Sequence, residues 1–181
     1  MIYYAAQAVG FLGMAVVIYT FQQNRQKRIS AFQGLTCLIF AIHFTMLGAV
    51  SGMAMNAVGV VRSCVFTFKS EKRWASHKWW PFVFCGISVV LAAVFWNDWW
   101  SLLTLAAMIF TSFSLWADNP VVVRALTLPA SWLWLAYNIH SGSWAGIATE
   151  LFSTSSILIA FLRYDILPRF GNKTKKINIT R

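Results

Sequence analysis

The stretch ATELFSTSS, Ala148 to Ser156, places one carboxyl group and a run of four hydroxyl residues inside an otherwise apolar segment. A carboxyl within a membrane span costs a few kcal/mol and therefore faces protein or a water-filled cavity. At roughly 100° per residue, Thr149, Glu150, Ser153, Thr154 and Ser156 share an arc of about 160°. Leu151, Phe152, Leu158 and Ile159 fall on the other side. Two uses fit this face. Glu150 binds a cationic group or carries a proton, with Ser153 and Thr154 beside it, or it clamps two helices by hydrogen bonding. A second stripe has the same character: Gly52, Asn56, Gly59, Ser63 and Thr67 lie within about 80° of one another. Its glycines permit close approach, and the Asn56 amide offers two donors and an acceptor.

The remaining polar residues in apolar runs carry weaker signals. Arg62 lies about 120° round from Asn56 and either snorkels to the nearer interface or pairs within the bundle. His43 is suited to a proton relay at physiological pH or to a hydrogen-bonded packing role. Gln7 is a candidate cavity residue. Gly10 and Gly13 accompany it as close-packing or hinge positions, and Pro129 is a hinge candidate because it loosens a helix locally. Trp132 and Trp134 point about 200° apart, so at most one can face a cavity. Cys37, Cys64 and Cys85 lack metal-ligand spacing and read as small buried residues. The chain shows no nucleophile elbow, phosphate-binding glycine loop, zinc helix or paired-carboxylate site. No catalytic residue, metal or cofactor is expected, and the protein is not expected to be an enzyme.

These groups must be carried by membrane-spanning helices. The 181 residues are 59% hydrophobic and only 11% charged, against roughly 25% charged in a soluble domain. Seven continuous apolar runs are predicted as helices, at about 2–21, 32–49, 51–68, 79–96, 99–116, 121–139 and 143–162, each long enough for a core of roughly 30 Å. Strands of a barrel would alternate instead. Lys and Arg set the orientation. Arg25, Lys27 and Arg28 follow the first run, and Lys69, Lys72, Arg73 and Lys78 follow the third. Arg169, Lys173, Lys175, Lys176 and Arg181 form the tail, and the second, fourth and sixth loops have none. The N-terminus is thus expected outside and the C-terminus inside. The net charge of +10 is a topology signal rather than a nucleic-acid signal. Lipid is the expected partner, and the sequons at Asn172 and Asn178 fall on the inner side.

The chain also repeats itself weakly. LTCLIFAIHFTMLGAV from Leu35 and LTLPASWLWLAYNIHSG from Leu126 both open with Leu-Thr and run to a glycine-containing turn. Each then enters a short span with a polar residue a few places in, Asn56 or Glu150. Helices one to three therefore correspond to helices five to seven, with Asn56 facing Glu150 across a pseudo-symmetry axis along the membrane normal. The expected divisions are 1–68, a first three-helix repeat; 69–98, a basic loop and linker helix; 99–164, a second repeat; and 165–181, a basic cytoplasmic tail.

This 3+1+3 plan, the outside N-terminus and FQQNRQKR at the inner end of the first helix resemble the PQ-loop/SWEET transporter superfamily. Asn24-Arg25, HFTMLG (His43–Gly48), MNAVGVVR (Met55–Arg62) and the late Glu150 resemble more closely the YgjV-type bacterial inner-membrane proteins. The resemblance spans Gln7 to Arg163. It implies an all-α membrane fold, a parallel-repeat bundle of seven transmembrane helices, in the bacterial inner membrane. The superfamily resemblance also implies alternating-access solute transport. Gln22-Gln23 stands where Pro-Gln is the superfamily pattern, and Pro129 is the one span proline where the sugar transporters use four. The expected function is a carrier for a small polar or cationic solute, its site between helices three and seven. The alternative is a non-transporting receptor or scaffold whose basic loops and tail bind a partner. Oligomeric state is left open between a single bundle and a small homo-oligomeric ring.

Overall fold

The computed structural model describes residues 1–23 and 25–167. Asn24 and the basic tail, with its sequons, lie outside the described residues. Seven α-helices follow one another: α1 (Ile2–Phe21), α2 (Gln26–Leu47), α3 (Val50–Thr67), α4 (Trp80–Val94), α5 (Ser101–Trp116), α6 (Pro120–His140) and α7 (Trp144–Phe161). A short π-helical turn, Leu162–Ile166, extends α7. Four segments are long and apolar enough to cross a membrane: Ile2–Phe21, Gln26–Met46, Val50–Thr67 and Trp144–Tyr164. α4 and α5 have only 15 and 16 residues. α6 has 21 residues, but Arg124, Thr127, Ser131 and Asn138 lower its hydropathy. It runs unbroken through Pro129, whose ring nitrogen can donate no hydrogen bond to the preceding turn.

Local chemistry sets the helix ends. Pro120 opens α6 behind an Asn119 cap, whose side chain accepts the Val121 N–H at 2.9 Å. Ser143 caps α7 by accepting the Gly146 N–H at 3.0 Å. The turns after α2 and α6 are built alike. Gly48 (φ 72°) and Gly142 (φ 66°) both adopt the left-handed conformation that glycine tolerates. The next residue in each turn, Ala49 or Ser143, donates its N–H back to Phe44 or Asn138, both at 2.9 Å. Counting eight residues on from these glycines reaches Asn56 in one case and Glu150 in the other. Counting five back reaches His43 and Tyr137.

Six helices close a ring in the order α1, α2, α3, α5, α6, α7 and back to α1. α4 stands outside it, packed on α3 and α5. There Val65, Phe66 and Phe84 form a core cluster flanked by Trp80 and Trp116. Elsewhere the outward faces are apolar and exposed, as at Phe11, Ile42, Val61, Val90 and Ile159. All described Lys and Arg residues except the buried Arg62 gather at one end of the ring, called here the basic end. Lys27 pairs there with Glu71 at 2.7 Å. Lys69 pairs with Asp118 at 2.8 Å, donates to the Trp116 carbonyl at 2.6 Å and lies over the Trp116 ring.

Candidate functional site

The ring encloses a cavity of about 390 Å³. Its wall begins at the basic end with Phe21, Gln23, Ile29, Leu115 and Arg124. It finishes at Phe44, Trp134, Asn138 and Thr149. Along α7 the lining runs from Thr149 to Ala160, a depth of about 16 Å at 1.5 Å per residue. Trp134 stacks against Phe44 with centroids 6.2 Å apart, while Trp132 is exposed on the outer face.

Of the residues singled out from sequence, Asn56, Glu150 and Ser153 line this cavity. Glu150 is half-buried and lies near its closed end, where the Ser131 hydroxyl of α6 is its hydrogen-bonding neighbour. Asn56 is buried, and its Nδ2 donates to the Gly52 carbonyl at 2.9 Å. Thr154 is buried without lining the cavity, and its hydroxyl finds no partner among the described residues. The stripe glycines of α3 serve packing. A Cβ on Gly52 would sit 2.7 Å from the Tyr137 ring, and one on Gly59 would sit 2.7 Å from the Cys37 sulfur.

Arg62 lines the cavity too, but it does not snorkel. Its side chain turns inward against α5 and is 1% exposed. Nη1 donates to Met108 Sδ at 2.7 Å and to Ser112 Oγ at 3.0 Å. It makes no ion pair with Glu150.

Gln7 and His43 lie beyond the closed end, where they build a seal. Gln7 donates from Nε2 to the Gly142 carbonyl at 3.0 Å and accepts the Ala145 N–H at 3.1 Å. His43 is 0% exposed. Its Nδ1 is 2.7 Å from the Ala6 carbonyl, which can only accept, so Nδ1 carries the proton. Nε2 then accepts from the Ser143 hydroxyl at 2.7 Å. Across the ring, Tyr137 plays the corresponding part. Its hydroxyl meets Ser51 Oγ and accepts the Gly52 N–H, both at 2.9 Å. Each half of the ring thus reaches over to pin the start of a helix in the other half: α2 pins α7, and α6 pins α3. Gly10 and Gly13 let α1 close in. A Cβ on Gly10 would sit 2.6 Å from Ala145 Cβ and 2.9 Å from the His43 ring, and one on Gly13 would sit 2.9 Å from Phe40.

Because His43 satisfies two buried polar partners at once, His43→Phe is expected to destabilise the protein by about 2 kcal/mol. Thermal unfolding in detergent measures this. An unchanged midpoint would show that the seal contributes nothing to stability.

Sequence reasoning missed Tyr137, Asn138, Ser131 and Ser143. A usable signal existed for Tyr137 and His43, which stand equally far before their turn glycines. Asn138 follows Trp134 by one helical turn and shares its face, so choosing Trp134 over Trp132 as the cavity-facing ring would have marked Asn138 as well.

A family model described as bacterial inner membrane protein, Imp-YgjV, matches residues 4–166. No curated protein and no solved structure matches the chain.

Proposed function

The chain belongs to the Imp-YgjV family of bacterial inner membrane proteins, and from that premise we propose that it is an alternating-access carrier for a small polar or cationic solute. The observation that carries this reading is the cavity. It is polar at depth, reaches residues at the basic end, and stops at a hydrogen-bonded seal on the other side. A solute entering from the basic end would meet Arg62, Asn56, Ser153 and Glu150 and find no way through. That is one half of an alternating-access cycle. The gathering of Lys and Arg supports a cytoplasmic basic end, and on that reading the conformation is inward-open.

A parallel repeat supplies the other half. Exchanging α1–α3 with α5–α7 turns the α1–α7 contact into the α5–α3 contact, and both exist. The two left-handed glycine turns match under the same exchange, as do Asn56 and Glu150. α4, outside the ring, is the single crossing that gives both three-helix units the same orientation. Sites in carriers of this kind lie where the repeats meet.

Accessibility tests the proposal. In a background with Cys37, Cys64 and Cys85 replaced by serine, Ser153→Cys is expected to react with a membrane-impermeant thiol reagent in inverted membrane vesicles. It is expected to be protected in right-side-out vesicles. Equal reactivity from both sides, or none from either, would sink the inward-open assignment.

A further inference from the structure

Among the described residues, Arg62 is a buried cation with no carboxylate partner. Ion pairs among the described residues join Lys27 to Glu71 and Lys69 to Asp118, and His140 meets Asp98 at 3.1 Å, all away from Arg62. Its Nη1 is spent on a thioether and a hydroxyl. Its Nε is buried and has no hydrogen-bond partner among the described residues. Lysine could shed its proton in such a place, but arginine keeps its charge. An uncompensated buried charge is strongly destabilising. The edge that these Nη1 bonds do not engage is the one formed by Nε and Nη2. That planar fork takes a carboxylate through two parallel hydrogen bonds. Thr36 of α2, which lines the same cavity, also has a buried hydroxyl without a partner among the described residues. Glu150 lines the cavity with Arg62 and yet does not pair with it. The cavity wall therefore carries Arg124 at the basic end, Arg62 deeper in, and one separate carboxyl group, Glu150.

We propose that Arg62 is an anion subsite and that the solute is a small zwitterion, its carboxylate on Arg62 and its cationic group at Glu150. The proposal rests on the carrier reading above and narrows its substrate class. A solute bearing both charges would engage both protein groups at once and would pair the buried Arg62 charge. A plain cation would leave Arg62 unpaired. The cavity volume of about 390 Å³ lies at the small end of the range for ligand sites, which suits a single small molecule.

The test is a comparison of acid with amide. The purified full-length protein is melted in the presence of each of the twenty standard L-amino acids, their primary amides and the matching decarboxylated amines. Ligands that bind the folded state raise its melting temperature by mass action. At least one amino acid is expected to stabilise the wild type, with its amide needing a concentration at least tenfold higher. Arg62→Gln is expected to weaken acid binding by a similar factor and to erase the preference for acid over amide. A merely structural role for Arg62 would leave that preference intact. Arg62→Lys keeps the charge without the fork and is expected to retain a reduced preference. It serves as the test variant where the glutamine variant does not fold.

Acid and amide binding equally well to the wild type would overturn the proposal, as would a preference that survives in Arg62→Gln. If amines and amides bind and Glu150→Gln abolishes that binding, the carrier reading stands and the zwitterion falls. A panel with no binder at all also overturns the zwitterion. Vesicle labelling at Ser153→Cys then decides the carrier reading by itself.

Discussion

Glu150→Gln is expected to abolish solute uptake by reconstituted protein while leaving its expression and melting temperature intact. The substitution keeps the side chain's size and removes only its ability to carry charge. Glutamine can still meet the Ser131 hydroxyl that neighbours Glu150 on α6, so the α6–α7 contact survives. A hydrogen bond to a charged group is worth about 1.5–3 kcal/mol, which corresponds to a loss of about 10- to 100-fold in affinity. Uptake by proteoliposomes over a range of pH, beside thermal unfolding of the same preparation, separates the two roles open to this residue. Lost uptake at unchanged stability assigns Glu150 to solute or proton binding. A variant that transports normally and melts early would make the carboxyl an interhelical clamp, and the carrier proposal would lose its central residue.

The second large effect is expected at the seal. Gly10→Ala places a methyl group 2.6 Å from Ala145 Cβ and 2.9 Å from the His43 ring. Neither neighbour can yield easily. Alanine has no rotamer to change, and the imidazole is held on both sides by Ala6 and Ser143. α1 must therefore move away from α7. The bonds from Gln7 to Gly142 and Ala145 lie one turn away and would stretch with it. Overpacking of this kind costs about 1–3 kcal/mol. The expected result is a lowered melting temperature, partly restored in the double variant Gly10→Ala with Ala145→Gly. Only part returns because the His43 contact remains. A single variant as stable as the wild type would show that α1 is not held at this point.

The sequence makes some of this legible and hides the rest for definite reasons. Asn56, Glu150 and Ser153 stand out because polar groups on apolar helices betray the face that turns inward. Gln7 has the same signature but lies beyond the closed end of the cavity. A helical wheel gives direction around the axis and says nothing of depth relative to neighbouring helices. Arg62 has two readings on α3 alone. Met108 and Ser112 on α5 decide between them, and no local pattern links those residues to Arg62. The short α4 and α5 were expected as full spans, at 79–96 and 99–116. Hydropathy counts the tryptophans at their ends as helix, whereas Trp96, Trp99 and Trp100 lie in the connection between the two. Family membership rests on the whole match over residues 4–166, more than on any single motif.

The shortness of α4 carries a consequence for the surrounding lipid. Its 15 residues rise only about 22 Å, whereas the 20 of α1 rise about 30 Å. α4 packs on the ring through α3 and α5, and Val83, Ile87, Val90 and Val94 are exposed on it. One flank of the molecule is therefore thinner than a typical hydrocarbon core of roughly 30 Å. Acyl chains beside it must compress, or the whole body must lean, and either response has an energetic cost for each ångström of mismatch. Bilayer thickness thus bears directly on α4, the helix that the carrier proposal makes the joint between its two repeats.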